Sequence, residues 1–356
     1  MADDPLVSII VPHYKGDILS TCLDWVYKRT CGAGFEVIVA DDQPCDDGSL
    51  GRARSAFPGI RIVATGGGKG MGAGCNRGLE AARGEYAFLL NNDVEVDEGW
   101  LEPLLDAMQA DPKLGACQPK VRSLRDRALF DYGGAAGGMI DRYGYTFCQG
   151  RLFDTVEEDR AQYHEPREIF WGMGGALFLR MACLERVGHM DEAYHMHMEE
   201  IDLCWRIRLA GYRISSVPAS VVYHYGGWSL ESDSFKKAYL NHRNQLVMIL
   251  KNMSARRLAW VFPARVCLEL ATLLLGIVRG GWKHPVASLA ALAWVATHAG
   301  EIRRRRRHAQ VARVVGDSAI GQVIYPGSVA AQYFLRGVRT ASDLPGYGAL
   351  GKAGPE

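Results

Sequence analysis

Three short polar segments stand where apolar, strand-like runs of the sequence end. They are Pro12-His13-Tyr14, Asp41-Asp42 and Asn91-Asn92-Asp93. Carboxylate and amide oxygens suit hard divalent cations such as Mg²⁺ and Mn²⁺, which bind one or two carboxylates together with substrate phosphates. The same Asn-Asp pattern is also ordinary turn chemistry after a strand, so the segments alone leave both interpretations open.

A second group of residues combines His195 and His197 with Glu199, Glu200 and Asp202. Helical spacing aligns Glu200 with the apolar stripe of the helix that follows. A carboxylate on the buried side of a first helical turn is a candidate general base, because desolvation raises its pKa from ~4.3 towards neutral pH. The alternative is that the three acids stabilise the helix N-terminus through its dipole.

Two further features lie next to strand-like runs. His224 follows one and precedes two glycines, a position that suits a ligand or a structural histidine. The glycine-rich segment 66–74 contains Gly68, Gly70 and Ala73 at the spacing of a weak dinucleotide fingerprint, but it follows the third strand rather than the first. We therefore expect a loop whose helix-end amides approach a nucleotide-sugar.

The elements that must position these residues alternate between strands and helices. Predicted strands cover 6–11, 35–40, 60–64, 86–90, 176–179, 212–217 and 221–224, and predicted helices cover 17–29, 48–57, 75–83, 199–210 and 236–252. Repeated β-α units favour an α/β fold with a mostly parallel sheet flanked by helices. Ligands of such sheets bind beyond the carboxyl ends of the strands, where the polar segments stand.

The composition limits the class of protein. The chain has 356 residues, of which 48% are hydrophobic and 23% charged, with a formal net charge of +1. These values exclude a disordered, collagen-like or strongly nucleic-acid-binding protein. Nine cysteines without a C-x-x-C pair predict a reduced, cytoplasmic environment, and the acidic start Met1 to Asp4 predicts that there is no secretion signal.

Positive charge is concentrated near the C-terminus. Residues 251–313 hold twelve Lys or Arg and two acidic residues, a local net charge of +10. Their apolar runs, 270–278 and 286–300, are shorter than the ~20 residues of a spanning helix. We expect helices at the inner face of the cell membrane, with Arg303 to Arg307 facing anionic head groups. A buried helical pair with a solvated basic run, or a homodimer interface, is the alternative.

Taken in order, the motifs resemble family 2 glycosyltransferases of the GT-A fold, and within them bacterial rhamnosyltransferase-like enzymes of O-antigen and other surface polysaccharide synthesis. The motifs are 8–14, 39–42, 76–78, 89–96, 171–172, 199–206 and His224. Two positions depart from the family pattern. Asn91 occupies the first position of its D-x-D metal motif, and Glu200 stands where the family usually has Asp.

The resemblance implies an inverting, metal-dependent transfer of a sugar from a nucleotide-diphosphate donor to a saccharide or lipid-linked acceptor. It places the catalytic base at Glu200 and a Mn²⁺ or Mg²⁺ ion at Asp93 and His224. The other implied site residues are Pro12, Tyr14, Asp42, Asn76, Asn91 and Asn92 for the donor, and Trp171, Gly172 and Glu199 for the acceptor. Family resemblance favours dTDP-rhamnose as donor and leaves UDP- and GDP-sugars open.

We expect a GT-A domain over 1–230, a helical region over 231–315 that associates with a membrane or forms a dimer, and a C-terminal tail over 316–356. Two other classes of function remain open: an NAD-dependent Rossmann oxidoreductase and a non-catalytic sugar- or lipid-binding scaffold. Stabilisation by UDP or dTDP rather than NAD would exclude the first, and sugar transfer would exclude the second.

Overall fold

A computed structural model describes residues 4–32, 34–226, 234–279 and 281–351, leaving out the side chains of 274–279. Met1 to Asp3, the first three residues of the acidic start, lie outside the described residues. The strands are β1 (Val7–His13), β2 (Phe35–Asp41), β3 (Arg61–Ala64), β4 (Tyr86–Leu90), β5 (Val94–Val96), β6 (Leu114–Ser123), β7 (Gly138–Asp141), β8 (Thr146–Cys148), β9 (Arg151–Leu152), β10 (Thr155–Val156), β11 (Arg167–Glu168), β12 (Ala176–Arg180), β13 (Arg213–His224) and β14 (Ile324–Tyr325). The helices are α1 (Ile18–Arg29), α2 (Ser49–Ala56), α3 (Met71–Ala81), α4 (Glu102–Ala110), α5 (Met181–Val187), α6 (Glu199–Leu209), α7 (Phe235–Asn252), α8 (Ala255–Arg279), α9 (Lys283–Thr297), α10 (Ala299–Val311) and α11 (Val329–Arg336).

A nine-stranded central sheet has the order β11-β13-β6-β12-β4-β1-β2-β3, and β5 pairs with β13. Its half from β4 to β3 is parallel, as the β-α pattern predicted. In the other half, β12 runs antiparallel to both of its neighbours while β13 runs parallel to β6. The α/β class is therefore confirmed, but the sheet is mixed rather than mostly parallel.

Both faces of the sheet are covered because successive side chains of a buried strand point to opposite sides. Ile9 of β1 belongs to a core that includes Leu23 of α1. Its neighbour Ile10 belongs to a second core, with Leu79 of α3. Every one of these side chains is at most 1% exposed. The apolar runs of β1, β2 and β4 thus become strands buried on two faces, whereas the edge strand β3 is partly exposed.

Two predicted element boundaries are wrong for identifiable reasons. Helix α3 begins at Met71, four residues before its predicted start. Gly72 and Gly74 lower the helix propensity of its first turn, but Gly74 allows that turn to pack against Pro12 of β1. The two strands predicted over 212–224 form one strand, β13, whose register against β6 shifts between Val217 and Val221. Pro218 lies in this bulge, where its missing N–H removes no ladder hydrogen bond.

A second sheet, of five short strands in the order β10-β9-β8-β7-β14, was not predicted. Its strands are two to four residues long, and four of them, β7 to β10, lie within residues 138–156. The edge strand β14 comes from the C-terminal tail and runs parallel to β7. The tail, which carried little pattern, therefore packs onto the rest of the chain as far as Gly351.

The basic region forms helices α8 to α10, which pack with α7. No helix among the described residues is long and apolar enough to cross a membrane. The expectation that Arg303 to Arg307 all face head groups is wrong for two of them. Arg305 Nε lies 3.0 Å from Asp191 Oδ2, and Arg306 Nη1 donates to two backbone carbonyls at the end of α7.

Close packing of α3 on β1 predicts opposite effects for two helical glycines. A methyl group at Gly78 would overlap Ile10 Cγ2, whereas one at Gly51 of α2 meets nothing within 4 Å. We expect Gly78→Ala to lower the free energy of unfolding by roughly 1–3 kcal/mol through overpacking. Gly51→Ala should raise it by about 0.5–1 kcal/mol, because alanine is the better helix former. Urea unfolding of both variants checks this, and equal effects would contradict the packing.

Candidate active site

Strand ends bring Asp93 and His224 together. Asp93 lies in the turn between β4 and β5, and His224 ends β13, which pairs with β5. His224 Nε2 is 3.3 Å from Asp93 Oδ1, and Asp93 is 6% exposed. The Asp93 carbonyl also accepts the Tyr225 N–H, which ties the two segments together. Two residues 131 positions apart thus share one place, as the resemblance implied.

Asp131 completes this arrangement, and sequence reasoning missed it. Its Oδ1 is 3.0 Å from His224 Nδ1, and its Oδ2 accepts the N–H of Gly133. Burial lowers the pKa of His224, but the carboxylates of Asp131 and Asp93 outweigh burial and raise it to about 10. The imidazolium therefore bridges two carboxylates. The only signal for Asp131 was an Asp-x-Gly turn, which is common in loops.

Glu200 has an unusual place in its helix. Ten of the eleven residues of α6 are buried, and Glu200 is the exception. A methyl group at Gly174 would lie 3.0 Å from Glu200 Cβ, so a glycine is needed for the turn to pack this closely on Glu200. Burial raises the pKa of Glu200 above the ordinary carboxyl range. A carboxylate whose pKa is raised towards neutral pH therefore stands at the one residue of α6 that is not fully buried.

Glu199 faces a different direction. It is 2% exposed, and its Cγ lies 3.9 Å from where a Cβ of Gly72 in α3 would be. Burial and the neighbouring Glu200 charge raise its pKa, and its Oε2 has no hydrogen-bond partner among the described residues. Acceptor binding by Glu199 stays a prediction, and this burial speaks against it.

The turn before β12 lies between the end of β4 and α6. The Asn91 N–H donates to the Gly175 carbonyl at 3.0 Å, and a Cβ at Gly175 would lie 2.6 Å from Asn91 Cγ. The preceding Gly174 abuts Glu200. Both positions of the turn require glycine, because Gly174 lies against Glu200 and Gly175 lies against Asn91. This turn therefore connects the strand end that carries Asn91 and Asp93 with the helix end that carries Glu200.

Asp42 fixes the glycine-rich loop. Its carboxylate accepts the N–H groups of Lys69 and Gly70, each at 2.8 Å, and the hydroxyl of Thr65. Amides that sequence reasoning assigned to a nucleotide-sugar thus bind a carboxylate of the chain. Donor binding by Asp42 stays a prediction, and its observed contacts are those of a loop anchor.

The other residues with predicted donor contacts are arranged around the end of β1. Pro12 lies in β1 and packs against Gly74, and Tyr14, just beyond the strand, is 49% exposed. Asn92 Nδ2 lies 3.0 Å from Nδ1 of the buried His13, whose Nε2 lies 2.8 Å from the Ser49 hydroxyl. Burial lowers the pKa of His13. Tyr14 is therefore the most accessible of these side chains.

Asn76 and Trp171 are committed to contacts within the chain. Asn76 is 5% exposed, with its amide N–H groups donated to the Met190 carbonyl and to Glu192 and its oxygen accepting the Met190 N–H. The Trp171 ring is 3% exposed under Gly138 and donates to the Met139 carbonyl, and Gly172 is buried beside it. Ligand contacts by these three residues stay predictions, and their burial speaks against them.

A buried network of charges holds α6 in place. Asp202 Oδ2 lies 2.8 Å from Lys251 Nζ and 3.0 Å from Arg206 Nε. Its Oδ1 accepts hydrogen bonds from Tyr194 and Asn252. Burial raises the pKa of Asp202, but the Lys251 and Arg206 cations outweigh it and hold the pKa well below its usual range. Lys251, counted in the basic region, is therefore a buried structural cation.

Asp93, Asp131 and His224 are the candidate ligands for a divalent cation. No group of three or more His, Cys, Asp or Glu side chains in the described part of the chain is placed to hold a metal ion. Asp131 approaches the Nδ1 side of His224 and Asp93 the Nε2 side, so the three do not converge on one point. One carboxylate and one imidazole nevertheless fit a cation that takes its other ligands from substrate phosphates.

Comparison with known proteins agrees with the fold and motifs. Residues 8–164 match the model of the family described as Glycosyl transferase family 2. The N-acetylglucosaminyl-diphospho-decaprenol L-rhamnosyltransferase of Mycobacterium tuberculosis is 27% identical over 244 residues, 64% of this chain and 78% of that protein. Rhamnosyltransferase WbbL of Escherichia coli K12 is 35% identical over 142 residues, 38% of this chain and 53% of that protein.

The crystal structure of GalNAc-T7 with UDP, GalNAc and Mn²⁺ superposes with a TM-score of 0.54 at 16% identity. It covers 70% of this chain, and the chain spans about half (48%) of that structure's length. The fold is thus that of GT-A glycosyltransferases. Over residues 8–164 the chain is similar to the family 2 glycosyltransferases, and its relatives include rhamnosyltransferases. The NAD-dependent oxidoreductase alternative finds no support in these comparisons.

Because Asp202 is the centre of a buried charge network, its replacement should greatly lower the stability of the fold. Asp202→Asn leaves Lys251 and Arg206 buried with less compensation, and we expect the free energy of unfolding to fall by about 3–5 kcal/mol at pH 7. The exposed pair of Asp24 with Lys28 provides the control, since Asp24→Asn should cost at most ~1 kcal/mol.

At acidic pH, the difference in the free energy of unfolding between wild type and Asp202→Asn should become smaller. The folded-state pKa of Asp202 is depressed, so its contribution to stability is present above the unfolded pKa of ~3.9 and is lost as the pH falls below it. Urea unfolding at several pH values measures this. A difference that does not shrink in acid would contradict the ion pairing.

Proposed function

We propose that the protein is an inverting, metal-dependent glycosyltransferase that moves a sugar from a nucleotide-diphosphate donor to a saccharide or lipid-linked saccharide. The donor favoured by the family resemblance is dTDP-rhamnose, and the product belongs to a bacterial surface polysaccharide. The observation that carries this proposal is Glu200, the one partly exposed residue of a buried helix, which has a raised pKa and packs against Gly174.

Glu200 acts as the general base in this proposal. Its carboxylate takes the proton of an acceptor hydroxyl while the hydroxyl oxygen bonds to the anomeric carbon. The bond from that carbon to the diphosphate oxygen breaks on the opposite face, and the nucleoside diphosphate leaves with the electron pair. One displacement of this kind inverts the anomeric configuration. A raised pKa suits the step, because a base works best when its pKa lies near the working pH.

Asp93 and the neutral imidazole of His224 would hold the divalent cation, whose binding would displace the proton from Nε2, and the donor diphosphate would supply the remaining ligands. When bound, the cation neutralises negative charge that develops on the leaving diphosphate. Asp131 is a positioning residue in this proposal. Its hydrogen bond at Nδ1 fixes the imidazole so that Nε2 faces the cation site, as carboxylates commonly do for metal-binding histidines.

The division of the chain and its location are part of the proposal. The GT-A domain covers 1–230, the helical region 231–315 and the tail 316–356. Exposed apolar side chains on α8, on α9 and at the N-cap of α9 favour a peripheral attachment to the inner face of the membrane that is not purely electrostatic. They are Trp260, Leu270, Trp282, Val286 and Leu289.

Replacement of Glu200 tests the base directly. We expect Glu200→Gln to lower kcat at least ~100-fold with donor affinity nearly unchanged, because the amide cannot accept the proton but keeps the shape. Steady-state kinetics and donor titration measure the two quantities. Glu185→Gln, a change at an exposed position of α5, is the matched control.

The pH profile gives a second readout of the same residue. Because burial raises the pKa of Glu200, activity should fall with acidification at a pH well above the ~4.3 of an ordinary glutamate. Glu200→Asp should retain some activity and shift this acidic limb. Turnover by Glu200→Gln at the wild-type rate would remove Glu200 from the mechanism.

Metal binding is the second test. Removal of divalent cations with a chelator should abolish transfer, and Mn²⁺ or Mg²⁺ should restore it. We expect Asp131→Asn to weaken Mn²⁺ binding about 10–100-fold, because the positioning hydrogen bond acceptor loses its charge. Paramagnetic resonance of free Mn²⁺ in the presence of UDP measures affinity without turnover.

Asp154→Asn, a change in the loop between β9 and β10, serves as the control for Asp131→Asn. Full transfer in the presence of chelator would reject the Asp93–His224 site. Unchanged Mn²⁺ affinity in Asp131→Asn would reject the positioning role alone.

A further inference from the structure

A groove of about 480 Å³ runs between α7 and α9, outside the residues used so far. Its walls are almost entirely apolar and come from two faces of packed helices. The lining residues are Phe235, Tyr239, Ala290, Ala293, Trp294 and Thr297. The groove exists because the two alanines of α9 are too small to fill the space between the aromatic rings of both helices.

At one end the groove continues onto an exposed apolar surface. The Phe235 ring stacks on Trp282 with centroids 6.0 Å apart. Trp282 is 61% exposed, and Val286 and Leu289 are 45% and 44% exposed. Helical spacing places these three residues and Ala293 in one stripe along α9. An apolar molecule can therefore pass from the surface of α9 into the groove without crossing a polar barrier.

At the other end the groove meets a cation. The Arg243 guanidinium lies 5.7 Å from the Tyr239 ring centroid and 5.2 Å from that of Trp294, and it donates to the Tyr194 carbonyl at 3.0 Å. No carboxylate contacts it in the described part of the chain. Burial and the nearby Arg305 cation lower the pKa of Arg243. An anion bound there would relieve this unfavourable environment.

The cationic end lies one loop from the proposed base. Asn244, next to Arg243, donates to the carbonyls of Met196 and His197 at 2.8 Å each. The segment that these hydrogen bonds fix leads directly into the first turn of α6 and Glu200. A molecule with its apolar part in the groove and its anion at Arg243 would therefore lie beside the segment that leads into α6.

We propose that this groove binds the hydrocarbon chain of a lipid-linked acceptor, with Arg243 contacting the phosphate groups between lipid and sugar. The inference rests on the proposed glycosyl transfer and names the part of the acceptor that the groove takes. An exposed apolar stripe leads to an aromatic groove and then to a cation that has no carboxylate partner among the described residues. This order matches the order of hydrocarbon and diphosphate in such a molecule. A peptide or a second copy of the chain would not require the cation.

Farnesyl diphosphate is the probe, used below its micelle concentration with the full chain. Farnesol, which has the hydrocarbon chain without the phosphates, and inorganic diphosphate, which has the phosphates without the chain, are the comparison ligands. We expect farnesyl diphosphate to bind at least about tenfold more tightly than either, since each buried methylene contributes roughly fourfold. Calorimetric titration measures the three affinities.

Two pairs of variants locate the binding. Ala293→Trp fills the groove and should weaken farnesyl diphosphate binding at least about tenfold. Ala296→Trp places the same ring at an exposed position of α9 that does not line the groove and should have little effect. Arg243→Gln should abolish the preference for farnesyl diphosphate over farnesol, and Arg243→Lys should restore much of it by returning the charge.

Failure of this inference is distinguishable from failure of the proposed function. Thermal stabilisation of the wild type by dTDP, UDP or GDP with Mn²⁺ reports the donor site separately. Nucleotide binding without farnesyl diphosphate binding, or equal binding by Ala293→Trp and Ala296→Trp, would overturn the groove alone. Self-association that Ala293→Trp abolishes would assign the groove to a second copy and likewise overturn the proposal.

Discussion

The charge of Asp202, buried at 0% exposure, is the constraint on which the candidate site depends. A buried carboxylate is tolerated only when cations and hydrogen bonds replace its hydration, and Asp202 receives two of each. Lys251 reaches it from the end of α7 and also binds Asp191, which lies 3.0 Å from Arg305 of α10. Helix α6 is thereby fixed to the C-terminal helices. Glu200, two residues before Asp202, is held in place by this network, although no cation among the described residues pairs with Glu200 itself.

The balance between burial and neighbouring charges has a different outcome at Asp202, at the pair Glu199 and Glu200, and at His224. Asp202 has cations and keeps its charge, whereas Glu199 and Glu200 have no cation partner among the described residues and their pKa values rise. His224 is a buried imidazole that would lose its proton, except that Asp131 and Asp93 stand on either side of it. The environment, rather than the residue type, therefore separates groups suited to proton transfer from groups suited to holding charge.

The sequence predicted what depends on local pattern. Strands β1 to β4 are continuous apolar runs that end on Pro or polar residues, and α7 has an amphipathic repeat, so their positions were recoverable within a residue or two. The second sheet was missed because strands of two to four residues contain no measurable period. Its β14 pairs with β7 across about 180 residues, which no local pattern encodes.

The site was recoverable in part for the same reason. Asp93, His224 and Glu200 stand at element ends, where a sequence pattern marks them. The role of Asp131 and the partners of Asn76 could not be predicted from the sequence. An Asx turn has the same sequence whether or not its Asp contacts a functional residue, and a buried Asn has no pattern that identifies its partners. Asn76 holds the segment around Met190, 114 residues away, which leads to α6.

Net charge along a segment is not the same quantity as charge on a surface. Of the twelve basic residues in 251–313, Lys251, Arg265, Arg305 and Arg306 bind carboxylates or carbonyls inside the fold. Arg265, at 0% exposure, is paired with Glu269, which also accepts hydrogen bonds from His242 and Ser288. These cations stabilise helix packing and contribute little to attraction at a distance. Attachment to a lipid surface would therefore depend on the apolar stripe of α9 at least as much as on charge, and salt alone should release the protein only partly.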